Sequence, residues 1–200
     1  MRFPVLSAAL AALCFALPTT AQKVQIYGGN GERAQTSQLL FGENVMAGMQ
    51  IVYSQPLWKD SHNAMMESLK GKLLRLGKDW WTTFNTTVDL EISGVKVPAG
   101  SYVLGLDCSK EGKFSLAFLD STKAMKQGAM PFPVDEKGTM NWKPEFLVPV
   151  ELHKDSAKES VAKMTMTLTA NADDLSKGSF ELAWGKHTLT APVAVVLAKK

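Results

Sequence analysis

Several groups of side chains in this 200-residue sequence have the types and spacing that chemistry needs, and each also has a plain structural reading. Asp89 and Glu91 stand two residues apart. On a strand their carboxylates share a face at about 6 to 7 Å, a spacing suited to acid/base work if a partner segment splits their pKa values; the plain reading is a solvated strand face. Glu151 and His153 share a face in the same way, as half of a metal site if His187 approaches across the fold, or as a surface ion pair. His62, His153 and His187 are otherwise scattered and form no His-x-His or His-x-x-x-His pair. Met164-Thr165-Met166 offers two thioethers of the kind that select Cu(I), but their alternation with Leu168 and Ala170 reads as core filling by flexible methionine.

A further group lies between Trp80 and Ile92. With continuous pairing there, Trp81, Thr83, Asn85, Thr87 and Asp89 project together, opposite Phe84, Val88, Leu90 and Ile92. Trp81, Asn85 and Asp89 are therefore the candidate ligand-binding residues, an aromatic ring beside amide and carboxylate groups that can stack on a sugar or receive a partner chain. The alternative is that a neighbouring loop covers Trp81. No Gly-x-Ser-x-Gly or Walker loop occurs, and Gly28-Gly29-Asn30-Gly31 lacks the following helix and Lys-Ser/Thr that cradle phosphate. No catalytic residue, metal ligand or cofactor is assigned.

The elements that must position these residues read mainly as strands. Met164, Met166, Leu168 and Ala170 alternate with Thr165, Thr167 and Thr169, the period of two that gives a strand one buried face. Similar segments are Thr36 to Phe41, Val45 to Tyr53, Val88 to Ile92, Val95 to Val97, Ser101 to Leu106, Lys113 to Leu119, Phe146 to His153, Ser179 to Trp184 and His187 to Val196. Ser93-Gly94, Pro98-Ala99-Gly100 and Gly185-Lys186 supply turns. Met65, Met66, Leu69, Leu73 and Leu76 instead recur at helical intervals, which predicts a helix or two helical turns from Ser61 to Leu76 with Gly71 as a weak point. Many short strands without regular strand-helix alternation predict an all-β fold, a two-sheet β-sandwich of jelly-roll or immunoglobulin-like type with a short helical insertion. The expected organisation is a signal peptide over 1–21, a flexible stretch over 22–33 and one sandwich domain over 34–200.

Arg2, the apolar run from Phe3 to Leu17 and Pro18-Thr19-Thr20-Ala21 follow the order of a secretory signal, with cleavage expected after Ala21. The run is too short, and too early broken by Pro18, to cross a bilayer as an anchor. Loss of Cys14 leaves Cys108 as the remaining cysteine, so the core must hold the fold without an internal disulfide, and Cys108 reads as a buried thiol at a strand end. A formal charge of +3 is too balanced for a dedicated nucleic-acid binder.

Ile51-Val52-Tyr53-Ser54-Gln55-Pro56, Gly77-Lys78-Asp79-Trp80-Trp81, Asn85-Thr86-Thr87, Val97-Pro98-Ala99-Gly100-Ser101-Tyr102 and Trp184-Gly185 occur in one order along the chain. Together they resemble the bacterial family catalogued as domain of unknown function 2911. The resemblance implies an exported β-rich domain of bacterial envelopes, periplasmic or secreted, and implies no activity, cofactor or catalytic residue. The family's usual Trp-Arg-x-Gly-Ala-Asn stretch is similar to Trp81-Thr82-Thr83-Phe84-Asn85 here, where Trp and Asn match while Arg and Gly do not, and Lys72 stands where Arg is usual, so no anion-binding role is carried over from it. The expected role is non-catalytic binding of a small molecule, glycan or envelope protein; the alternatives are an enzyme acting on envelope glycans or small metabolites, and a structural envelope component.

Overall fold

The computed structural model describes residues 33–42 and 45–196. The leader, its cleavage site and the glycine-rich stretch at 28–31 lie outside them. The chain runs β1 (Arg33–Gly42), β2 (Val45–Ser54), α1 (Ser61–Met65) with a 3-10 turn (Met66–Leu69), β3 (Lys72–Arg75), β4 (Thr82–Thr86), β5 (Leu90–Ile92), β6 (Val95–Val97) and β7 (Gly100–Cys108). It continues with β8 (Phe114–Asp120), α2 (Ser121–Gln127), β9 (Phe146–His153), β10 (Val161–Ala170), β11 (Lys177–Gly185) and β12 (His187–Val195). The fold is mostly β, with the short helical insertion at its expected start.

The strands pair antiparallel in the order β1-β2-β4-β7-β8-β9-β12-β11-β10, with β3 beside β4 on β7 and the β5–β6 hairpin on β12. β9 joins the two halves, because Phe146–Val150 pair with β8 whereas Glu151–His153 pair with β12. The last strand then returns to the first. Leu168 N donates to Thr36 Oγ1 at 3.1 Å and Gln38 Nε2 donates to Leu168 O at 2.7 Å. Past β2, Trp58 N donates to Ala162 O and Met164 N to Pro56 O, at 2.8 and 3.1 Å. These bonds occupy the edges that an open sheet would expose, and the result is one antiparallel sheet, nearly barrel-shaped.

Inward residues alternate along each strand as the period of two requires. Met164, Met166 and Leu168 are buried while Thr167 and Thr169 are exposed. Ile51, Phe84, Leu104, Phe118, Val148 and Phe180 form the middle of the core. One end is plugged by rings: Phe118 stacks on Phe146 at 5.0 Å, and Phe84 and Tyr102 meet Phe118 edge-on.

Two expectations are corrected. The strand supposed to run from Trp80 to Ile92 is two strands: β4 pairs with β2 and β7, the chain turns at Thr87–Asp89, and β5 pairs with β12 and β6. The helical pattern from Ser61 to Leu76 ends early, since Gly71 takes a left-handed φ of 74° and Lys72–Arg75 join β7 as a strand. Helical spacing of Leu69, Leu73 and Leu76 is overridden there by the vacant edge of β7 next to β4, whose backbone groups need partners. The Ser121–Gln127 helix carries little sequence periodicity; its capping by Asp120 and the left-handed Gly128 is the readable signal.

Candidate functional site

The sequence candidates do not assemble into one surface. Trp81 does lie on the outer face of the sheet with Thr83 and Asn85, but its ring is 6% exposed and meets Trp142 edge-on at 5.4 Å. Val103, Ala117, Leu119 and Ala124 complete this second core, with α2 and the loop that follows it as the cover. The loop-covered reading of Trp81 is the one the structure displays, so the ring is not open to stack on a sugar. Asn85 remains half-buried between Gln50 and Ser101. Asp89 lies at the end of the turn before β5, where it accepts from Ala99 N at 2.9 Å and pairs with Lys96 at 2.9 Å. The Lys96 hydrogen bond, followed by the Ala99 amide, holds its carboxyl below the ordinary value.

The other titratable candidates are also separated. Glu91 is exposed in register with Lys96. His153 Nε2 lies 2.9 Å from Thr190 Oγ1 and 4.0 Å from Glu151, on the face of β12 that carries Thr188 and Thr190. His187 is adjacent to Thr188 and therefore faces the other way, where its Nε2 is 3.2 Å from Asn63 Oδ1. Among the described residues no three His, Cys, Asp or Glu side chains come within reach of one metal ion. Cys108 is 1% exposed at the end of β7. Burial raises the pKa of Asp107, which alternation places opposite Leu106.

A different site exists at the end of the barrel away from the ring plug. A cavity of about 750 Å³ opens there, within the range typical of small-molecule sites. Its interior is apolar, formed by Leu106, Phe114, Leu152, Met164, Leu182 and Leu189 from β7 to β12. The segment from Leu69 to Leu76, with β3 at its centre, supplies another wall, and Pro133, Gly138 and Met140 approach from the loop after α2.

The mouth is aromatic. Trp58 meets Trp184, His62 and His187 at 5.0, 5.3 and 5.4 Å, all near edge-on. Trp184 Nε1 donates to Pro56 O at 2.9 Å, which fixes one ring against the segment leaving β2. Gly185, at φ 63°, has to be glycine here, because an added Cβ would stand 2.4 Å from the Trp58 ring. Charge is one-sided: Lys59, Lys72, Arg75 and Lys78 line the opening, and among the described residues no carboxylate does. Lys78 pairs at 3.5 Å with exposed Asp79, and Arg75 lies 5.8 Å from the centre of the Phe132 ring.

Sequence reasoning missed this site because its residues come from distant strands and carry no joint spacing. The readable signals were Trp58 and Trp184-Gly185, together with cations at 72, 75 and 78 that interrupt leucines.

The residues that carried the family resemblance act as clamps. Tyr53 OH accepts from Met166 N at 2.8 Å and donates to Met166 O at 3.3 Å, bolting β2 to β10. Tyr102 OH donates to Pro98 O at 2.9 Å, over a Gly100 whose missing Cβ leaves room for the ring. The chain belongs to the family described as protein of unknown function DUF2911, whose model matches residues 35–193. No curated protein and no solved structure matches it.

Proposed function

We propose that this protein is a non-catalytic binding module that takes a small molecule into the cavity at the open end of its barrel. The observation that carries the reading is the apolar volume of about 750 Å³ behind a ring-lined mouth. Each ligand methylene buried there gains roughly 0.8 kcal/mol, enough for a chain of modest length to bind without a catalytic group. The carboxylates an acid/base pair would need do not meet in the cavity: Asp89 is tied to Lys96, Glu91 is exposed beside Lys96, and His153, near Glu151, faces away from His187 at the mouth. The reading treats the two halves of the sheet as two facing layers, the sandwich expected from the sequence, parted at one end to admit a molecule.

The neutral apolar dye N-phenyl-1-naphthylamine tests it. Saturable one-to-one binding is expected, weakened severalfold by Leu106→Gln, which puts an amide into the cavity wall at nearly constant size. Equal affinity in a variant with an unchanged melting temperature contradicts the proposal, as does the absence of saturable binding.

We also infer export, from Arg2, the apolar run and Ala21. N-terminal sequencing of envelope material is expected to begin within two residues of Gln22; a retained Met1 is the contrary result.

A further inference from the structure

We infer that the occupant of the cavity is an anionic amphiphile, a single hydrocarbon chain ending in a carboxylate-like head. The inference rests on the cavity reading above and adds the head group to it. Lys72 carries most of the argument. β3 holds Leu74 in register with Leu106, whose side chain lines the cavity, and alternation puts Lys72 on the same face as Leu74. The Lys72 ammonium therefore stands at the rim of an apolar chamber, and it has no ion-pair partner among the described residues.

Lys59 is likewise without one, while Arg75 is turned toward Phe132 and Lys78 toward Asp79. Four cations and two imidazoles thus line an opening to which the described residues contribute no carboxylate. A neutral guest would leave Lys59 and Lys72 without a counter-charge at the rim. A cationic guest would be repelled, and a wholly polar anion would leave the leucine interior empty or wet. A guest with an apolar tail and one anionic head satisfies both regions: the tail displaces water from Leu106, Phe114, Leu182 and Leu189, and the head takes charge-assisted hydrogen bonds from Lys72 and its neighbours.

Calorimetric titration of the protein with dodecanoate, dodecanol and dodecyltrimethylammonium separates the two layers of the argument. Dodecanoate is expected to bind on the order of tenfold more tightly than the other two, the size of effect a partly exposed charge-assisted contact gives. The preference is expected to shrink as salt is raised. Lys72→Gln is expected to cut the ratio of dodecanoate to dodecanol affinity severalfold, and an unchanged ratio overturns the role of Lys72. Equal binding of dodecanoate and dodecanol to the unaltered protein overturns the anionic head and leaves the cavity reading standing. Binding of none of the three overturns both. Cosedimentation with phosphatidylglycerol vesicles but no binding of monomeric dodecanoate also overturns the inference, and replaces it with a membrane surface as the partner.

Discussion

Trp81 is held from two directions, its ring against Trp142 and its carbonyl by Arg33 Nη2 at 2.6 Å. Removing the ring leaves a cavity between the outer face of the sheet and the loop after α2. Trp81→Ala is therefore expected to cost about 3 to 5 kcal/mol of stability, measured by chemical denaturation. A melting curve unchanged by the substitution would show that the ring is not part of a core. The facing of Trp81, Thr83 and Asn85 was legible in the sequence because it follows from strand alternation alone. What covers that face was not, since Trp142 lies 61 positions further along the chain and no local pattern announces the contact. Asp89 was misplaced for a related reason: Thr86 Oγ1 donates to Val88 O at 2.7 Å, a local turn bond that redirects the chain within an otherwise strand-like run.

At the scale of elements, β10 shows the pattern at its most regular, Met166 being 2% exposed and its neighbour Thr167 open to solvent. Met166→Asp is expected to abolish cooperative folding because it buries an unpaired charge, while Thr167→Asp shifts the denaturation midpoint little. Equal effects would mean that the strand faces the other way. Alternation and flanking turn residues made β2, β7, β8 and β10 to β12 readable from the sequence alone. The failure at β3 is instructive, because Leu69, Leu73 and Leu76 fit a helix as well as they fit the observed turn and strand. The local pattern does not separate the two, and the observed strand pairs with β7, far away in sequence. The helix after Asp120 escaped for the opposite reason: with Ala124 as its buried residue, it has no apolar stripe to reveal it.

For the molecule as a whole, the order of strands was beyond local reasoning, as was the division of β9 between two partners, because both are settled by contacts across the chain. Large rings fill one end of the barrel, whereas at the other Trp58 and His62 meet Trp184 and His187 at the mouth, and the leucines and Met164 behind them surround unfilled space. The central claim is that this space, and not the outer face around Asn85, receives the ligand. Intermolecular nuclear Overhauser effects between dodecanoate methylenes and protein methyl groups test it most directly. The account predicts contacts to Leu106, Met164, Leu182 and Leu189. Contacts confined to outward methyls such as Leu147 and Leu175, or none at all at saturating dodecanoate, would contradict it.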